Sequence, residues 1–292
     1  MSDVQPMALI SPYDVQRPEG DFPFDLYGGR LLAQGDSWFS LGALPPAFTT
    51  NLLSEIRLSR HVAVVNCARP GKVLAHMADT STETMFLQML KFWRWDIILL
   101  SGFGNDAIDA VGVAPTVDAK LRLLATPAER GTVASADGYF SPSGWLTFEL
   151  HMATVFETLL QRRDETNRQT PLVLHNYHRL TPRFAGAGFH FGPWIAPALQ
   201  LFQVPAGAWQ DVADALMKKL DALMRTLIAA AQLRHPDGPI LLVNTQAVAM
   251  DLSSPTSTGA SGDFVNEIHA SRGGYKKLAA AFGPVLEPLL PA

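Results

Sequence analysis

A serine stands between an aspartate and a tryptophan in the stretch "LLAQGDSWFSLG", which begins at Leu31. Gly35, Asp36 and Ser37 follow an apolar run, so the serine comes directly after a strand-like segment. Gly, Asp and Ser are common turn residues, and a plain turn would explain all three. The other interpretation is that Ser37 is a nucleophile at the end of a strand. A nucleophilic serine needs a base and donors for an oxyanion elsewhere in the chain.

Residues of the required types follow in three later segments. Gly71 lies in "CARPGKVLAHM", Asn105 in "FGNDAID", and His269 in "DFVNEIHASRGGYKKLA". A neutral histidine, with a reference pKa of about 6.5, accepts a proton at neutral pH. A glycine lets the backbone approach a substrate oxygen closely. An asparagine amide is an uncharged donor, and loss of one such donor costs about 3 to 4 kcal/mol of transition-state stabilisation.

These four blocks, in this order, resemble the SGNH hydrolase superfamily, also called GDSL-type esterases and lipases, over about residues 30–282. The resemblance implies that Ser37 is the nucleophile and that its backbone N–H also serves the oxyanion hole. It implies that Gly71 gives a second backbone donor, that Asn105 gives a side-chain donor, and that His269 is the base. The expected activity is hydrolysis of a carboxylic ester through an acyl-enzyme, with no cofactor and no metal.

Two positions depart from the family pattern. The third block usually reads Gly-x-Asn-Asp, whereas Phe103 stands two residues before Asn105. The last block usually reads Asp-x-x-His, with the aspartate orienting the histidine, whereas Asn266 stands three residues before His269. In a serine protease triad, replacing the aspartate by asparagine lowers turnover roughly ten-thousand-fold, because the histidine then adopts the wrong tautomer.

Three explanations of the second departure stay open. The amide oxygen of Asn266, or a backbone carbonyl, accepts the Nδ1 proton and leaves a Ser–His dyad. Alternatively, Asp263, six residues before His269, supplies the carboxylate from a bent loop. In the third explanation the enzyme is weakened or altered. Glu267, next to Asn266, is expected to face solvent.

Other polar residues are expected to be structural. Asp36 and Asp106 flank the candidate catalytic residues and are expected to cap helices or to tie turns. His175 and His178 lie in and after the run "PLVLHNY" and are expected to be structural or to line a pocket, because the sequence has no convincing set of metal ligands around them. The single cysteine, Cys67, excludes an internal disulfide and is expected to be a buried structural thiol.

The elements that must position these residues alternate between strands and helices. Continuous apolar runs indicate buried parallel strands at "RLLAQ", "HVAVVN", "WDIILLSG", "PLVLHNY" and "PILLVNT". Apolar residues recur every three to four positions over Trp209–Leu233, which predicts an amphipathic helix. The expected fold is a three-layer α/β/α domain with a flavodoxin-like parallel sheet of about five strands. Ser37 and Asn105 follow strand ends, where ligands bind in such sheets.

The chain divides into two predicted parts. Residues 1–28 are predicted to be an N-terminal extension on the surface, and residues 29–292 to be the hydrolase domain. Residues 107–145 have little regular pattern and form a candidate lid. The segment "RFAGAGFHFGPWIAPALQLF", which begins at Arg183, is rich in aromatic residues and glycines. It would either form an apolar acyl pocket or simply pack its own loop.

Composition narrows the classes of partner. The chain has 292 residues, of which 48% are hydrophobic and 17% charged, with a net charge of −4 and scattered basic residues. We therefore expect no nucleic-acid partner. No apolar run approaches the roughly 20 residues of a membrane span. The N-terminus does not look like a signal peptide, so we expect a cytoplasmic protein; export without a cleavable signal and the oligomeric state stay open.

The expected partner is a small-molecule or lipid ester. Two competing functions stay open at this point. One uses the same site for acyl transfer to an alcohol, or for deacylation of a lipid or an acetylated sugar. The other is a non-catalytic binding protein that keeps the fold and has a degraded triad.

Overall fold

The apolar runs of the sequence form a parallel β-sheet in the computed structural model, which describes residues 4–15, 22–40, 50–188 and 191–291. Within these residues the sheet has six strands, and a separate antiparallel pair lies outside it. The strands are β1 (Gln5–Pro6), β2 (Ala8–Ile10), β3 (Arg30–Gly35), β4 (Arg57–Leu58), β5 (Ala63–Asn66), β6 (Ile97–Ser101), β7 (Leu172–His175) and β8 (Ile240–Val243). The order in the sheet is β2-β5-β3-β6-β7-β8, and β1 pairs with β4.

Helices flank this sheet, as an α/β/α fold requires. They are α1 (Pro12–Val15), α2 (Leu52–Glu55), α3 (Leu74–Ala78), α4 (Thr84–Phe92), α5 (Gly104–Gly112), α6 (Pro127–Arg130), α7 (Pro142–Asp164), α8 (Ile195–Leu201), α9 (Trp209–Arg234), α10 (Arg272–Ala279) and α11 (Gly283–Leu286). Every residue of β6 and β7 is buried, so both faces of the central strands are covered. The predicted three-layer α/β fold is confirmed, and α9 matches the predicted amphipathic helix.

The sixth strand comes from the segment that we predicted to be a surface extension. Ala8–Ile10 pairs in parallel with β5 and forms one edge of the sheet. Leu9 is exposed at this edge, whereas the neighbouring strand is largely buried. A three-residue strand is too short to stand out as a periodic pattern, which is why the sequence predicted about five strands.

The candidate lid, residues 107–145, is built from short helical pieces. It contains the end of α5, the helical turns Ala119–Leu121 and Ala136–Tyr139, and α6 between them. The Arg130 guanidinium donates to the carbonyl of Phe202 at 2.9 Å, just after α8, and this bond ties the segment to the rest of the domain. A lid function for this segment stays a prediction.

The contact between β3 and β6 positions the functional residues. Gly35 at the end of β3 lies opposite Ser101 at the end of β6. A Cβ atom on Gly35 would lie 2.6 Å from the Cβ of Ser101, so only glycine allows the strands to approach this closely. As a result, the chain leaves both strands side by side, with Asp36 and Ser37 beside the segment that carries Asn105.

Candidate active site

Ser37 and His269 meet at the carboxyl end of the sheet, although 232 positions separate them in the chain. The Oγ of Ser37 lies 2.7 Å from the Nε2 of His269. Both side chains are buried. The turn that holds Ser37 is fixed by Asp36, whose side-chain oxygen Oδ1 accepts the N–H of Trp38 at 2.9 Å. The structure thus brings the sequence-predicted nucleophile and base into hydrogen-bond distance.

The environment of His269 keeps its imidazole neutral. Burial lowers the pKa of His269 to about 4. The ring of Trp194 packs edge-on against the imidazole, with ring centroids 5.7 Å apart. At neutral pH the ring is therefore uncharged and has one nitrogen that accepts a proton.

Asn266 occupies the position beside the other imidazole nitrogen. Its Oδ1 accepts the backbone N–H groups of Ile268 at 3.0 Å and His269 at 2.8 Å, which identifies this atom as the oxygen. The Nδ1 of His269 lies 3.1 Å from Oδ1 and 3.0 Å from Nδ2 of Asn266. Donation from Nδ1 to Oδ1 leaves Nε2 free to accept the Ser37 proton. Donation from Nδ2 to Nδ1 would favour the tautomer that cannot accept it.

Asp263 is paired elsewhere. Its Oδ2 accepts from the Nζ of Lys277 at 2.6 Å and from the N–H of Asp251 at 2.7 Å. Both described contacts of the His269 Nδ1 are with the side chain of Asn266. Asp263 therefore ties the loop before α10 to α10 itself, and Asn266 is the described residue whose side chain contacts the Nδ1 of His269.

The side chain of Asn105 links the two segments that are predicted to supply oxyanion donors, the one with Asn105 and the one with Gly71. Its Nδ2 donates to the carbonyl of Lys72 at 3.0 Å, and its side chain lines the same pocket as Ser37. Gly71, next to Lys72, is exposed and has a φ of 74°, a left-handed conformation that favours glycine. Gly71 is not among the residues that line the pocket. Asp106 accepts the N–H of Leu74, the first residue of α3, with both oxygens at 3.1 Å.

No protein-family model matches this sequence, and no protein with a curated description matches it significantly. Solved structures with a similar fold include the following two. The lipase Lip_vut3 from a goat rumen metagenome has a TM-score of 0.51 and 15% identity, and the match covers 87% of this chain and 95% of that one. A possible lipase from Chitinophaga pinensis DSM 2588 has a TM-score of 0.51 and 12% identity, with 89% and 98% covered. The chain shares the α/β fold of these two structures. The resemblance read from the four sequence blocks is thus confirmed for the fold.

Phe103 occupies the position where the SGNH pattern has a glycine, and its backbone has a conformation that favours glycine. Its φ is 80°, in the region that L-residues with large side chains rarely adopt. The ring is fully buried and packs edge-on against Phe156, with centroids 5.6 Å apart. Burial of the ring thus holds a strained backbone at the start of α5, two residues before Asn105.

Glu267 corrects one of our expectations, because it does not face solvent. Its side chain is 1% exposed. Its carboxylate accepts four backbone N–H groups at 2.6 to 3.2 Å, which belong to Arg183, Trp194, Ile195 and Ala196. Burial raises the pKa of Glu267, and these hydrogen bonds oppose that effect. Nothing in the local sequence indicates this role, because all four donors lie more than 70 residues earlier in the chain.

The loop that carries His269 is therefore tied to the segment 183–196. Besides the bonds to Glu267, the Arg183 guanidinium donates to the carbonyl of Asn266 at 2.7 Å. Trp194, which donates to Glu267, also contacts the ring of His269. Residues 189 and 190 of the aromatic segment lie outside the described residues. The described part of that segment thus anchors the loop that carries His269.

An apolar pocket opens beside Ser37. Its walls come from α5, α8 and α9 and from the loops after β7 and before α10. Besides Ser37 and Asn105, the lining is mostly apolar and includes Ile108, Leu180, Ile195, Leu216, Met217, Leu220 and Ile268. His178 also lines it, with its ring nitrogens 2.9 Å and 3.0 Å from backbone carbonyls. The free volume is about 30 Å³, enough for one or two water molecules.

Two other kinds of site receive no support from the described residues. In the ranges that the structure describes, no three His, Cys, Asp or Glu side chains cluster in a way that would hold a metal ion. Across the same ranges, no helix is both long enough and apolar enough to cross a membrane.

The position of Asn266 predicts the titration of His269. We expect the wild-type imidazole to titrate near pH 4, because burial disfavours its charged form. In Asn266→Asp a carboxylate stands beside Nδ1, which raises the pKa of His269. Proton NMR of the imidazole resonances measures both values. The control is Asp263→Asn, which should leave the titration unchanged. A shift in that variant as large as in Asn266→Asp would mean that Asp263 orients the base.

The strained backbone of Phe103 predicts an unusual order of stabilities. Phe103→Ala loses the buried ring and keeps the left-handed backbone, so we expect it to be destabilised by about 3 to 5 kcal/mol. Phe103→Gly loses the same ring but relaxes the strain, so it should be about 1 kcal/mol more stable than the alanine variant. At Phe156, inside α7, the order should be reversed, because glycine weakens helices. Urea unfolding of the four variants measures these stabilities. An alanine variant that is more stable than the glycine variant at both positions would contradict the prediction.

The hydrogen bonds to the buried carboxylate of Glu267 predict that the backbone N–H groups that donate to it are protected from hydrogen exchange. In Glu267→Gln one acceptor oxygen is replaced by an NH₂ group that faces N–H donors. Loss of about 1.5 kcal/mol or more is expected for such a bond. Amide hydrogen exchange at Trp194, Ile195 and Ala196 should therefore become about tenfold faster. Glu287→Gln, at a glutamate that bonds Ser59 at the surface, is the control. Unchanged exchange in Glu267→Gln would show that Glu267 does not anchor the segment.

Proposed function

We propose that this protein is a serine esterase that hydrolyses a carboxylic ester through an acyl-enzyme on Ser37. The observation that carries the proposal is the 2.7 Å contact between the Ser37 Oγ and the His269 Nε2. A nucleophile within hydrogen-bond reach of a neutral base is the arrangement that acyl transfer requires. Two solved structures of similar fold are a lipase and a possible lipase, which is compatible with ester hydrolysis.

In the proposed reaction His269 takes the proton of Ser37 as the Oγ attacks the ester carbonyl. The tetrahedral intermediate then collapses, and His269 gives the proton to the departing alcohol. Water attacks the acyl-enzyme with His269 again as base, and the acid leaves as Ser37 regains its proton. Asn266 orients His269 through its amide oxygen and supplies no charge for the imidazolium, so this triad is weaker than one with an aspartate.

The oxyanion would be held by the backbone N–H of Ser37, the side chain of Asn105 and the backbone N–H of Gly71. An amide nitrogen carries two N–H bonds. Asn105 uses one of them on the Lys72 carbonyl, and the other can point toward the substrate. The same bond tethers the segment that carries Gly71 to the start of α5. These contacts support a shared oxyanion site for the second and third blocks.

The pocket beside Ser37 suits a short, uncharged acyl group. Its lining is mostly apolar, and its free volume of about 30 Å³ leaves no room for a long chain without movement of the walls. A negatively charged acyl group would lose its hydration there, because the described lining contains no Lys or Arg. Acyl transfer, lipid or sugar deacylation and non-catalytic binding are the competing predictions, and the following experiment distinguishes them.

We expect a series of p-nitrophenyl esters to be hydrolysed fastest with acetyl to butyryl groups. Ser37→Ala should lower kcat/KM by at least about a thousandfold, because the nucleophile is lost. A fluorophosphonate should label Ser37 stoichiometrically in the wild type. Ser40→Ala, at a neighbouring buried serine, should still be labelled. Absence of label at neutral pH would favour a binding protein. Ester products with an added alcohol would favour acyl transfer, and a preference for long acyl chains would favour a lipase.

A further inference from the structure

A chain of buried polar groups that the proposed reaction does not use lies beneath the nucleophile. The Oγ of Ser101 lies 2.7 Å from the Oδ1 of Asp36 and 2.9 Å from the Nε2 of His175. The Nδ1 of His175 lies 2.9 Å from the carbonyl oxygen of Asn176. Asp36 and Ser101 are at most 1% exposed, and His175 is fully buried. These three side chains therefore bond to one another and to the Tyr177 hydroxyl, which lies 3.3 Å from the Ser101 Oγ, and they are shielded from solvent.

The protons in this chain can be counted. A carbonyl oxygen only accepts, so the Nδ1 of His175 must carry a proton. Two contacts remain, between Ser101 and His175 and between Ser101 and Asp36, because the Tyr177 hydroxyl, 3.3 Å from the Ser101 Oγ, already donates its proton to the other oxygen of Asp36. The Ser101 hydroxyl supplies one proton for these two bonds. The second proton must come from an end of the chain, so either His175 is an imidazolium or Asp36 is a carboxylic acid.

The surroundings favour the neutral form at both ends. The other described partners of the Asp36 carboxyl are the N–H of Trp38 and the hydroxyl of Tyr177, and neither is a cation. The ring of His175 contacts Trp38, Phe39 and Phe282, and none of these supplies a negative charge. Burial raises the pKa of Asp36 and lowers the pKa of His175 to about 4. Both shifts move the shared proton toward Asp36.

We propose that Asp36 is a neutral carboxylic acid that donates to Ser101, which in turn donates to a neutral His175. The hydroxyl of Tyr177 then donates to Oδ2 of Asp36, and Oδ1, which carries the proton, also lies 2.9 Å from the backbone nitrogen of Trp38. The residue before the nucleophile thus carries no negative charge. An ionised carboxylate there, in a region shielded from water, would oppose the oxyanion that is expected to form beside the backbone N–H of Ser37. Asp36 is a positioning residue in this scheme.

Infrared difference spectroscopy at about pH 7.5 tests the proposal directly. The wild-type spectrum minus that of Asp36→Asn should contain the carbonyl stretch of one carboxylic acid, which shifts with ¹³C-labelled aspartate and in heavy water. The asparagine amide can donate to Ser101 as the acid does. The control is Asp106→Asn: burial raises the pKa of Asp106 only to about 6, so its difference spectrum should show mainly a carboxylate. A carboxylate for Asp36 would overturn the proposal.

A second measurement uses the wild-type protein, so it does not depend on the folding of a variant. In the wild type labelled with ¹⁵N-histidine, the His175 resonances should be those of a neutral ring with the proton on Nδ1. Protonation of both nitrogens would overturn the proposal. The assignment rests on a proton count and not on the proposed esterase activity. Treatment with a fluorophosphonate separates the two proposals. If Ser37 is not labelled but the carboxylic-acid band is present, the esterase proposal is contradicted and the proton assignment is supported. If Ser37 is labelled but the carboxylic-acid band is absent, the neutral acid is contradicted.

Discussion

The register between β3 and β6 is the constraint on which the site depends. Gly35 faces Ser101 across these two strands, and the absence of a side chain on Gly35 allows the close approach. This single juxtaposition places Asp36 and Ser37, which follow β3, beside the start of α5, which follows β6 and carries Asn105. It also brings Ser101 within hydrogen-bond distance of Asp36. The nucleophile, one proposed oxyanion donor and the buried proton chain all follow from the same pair of residues.

The central strands and the long helix α9 could be predicted because their signals are local. Continuous apolar runs and a repeat of three to four residues are present in the sequence itself. The pair of Ser37 and His269 could be predicted only from the resemblance of the four blocks to the SGNH hydrolases, because the rule that ligands bind at strand ends bears on Ser37 and Asn105 and not on His269. The edge strand β2 could not, because three residues carry too little pattern.

The role of Glu267 could not be predicted for a different reason. A glutamate beside an asparagine in a polar loop has the pattern of a solvent-facing residue. Only the fold brings the backbone N–H groups before and at the start of α8 to its carboxylate. The same holds for Asp263, which is six residues from His269 in the chain but pairs with Lys277. In both cases the hydrogen-bond partner lies in another element, and tertiary packing decides which element comes close.

The buried face of α9 serves two purposes at once. Leu216 and Leu220 belong to the apolar stripe that packs the helix onto the domain, and they also form part of the wall of the pocket beside Ser37. The side chains proposed to carry out the chemistry lie on loops after β3 and before α10, and α9 contributes none of them. Pocket shape and reactivity are thus carried by separate segments of the chain. Single changes on one helix can redirect the choice of substrate over evolutionary time while the reacting groups stay in place.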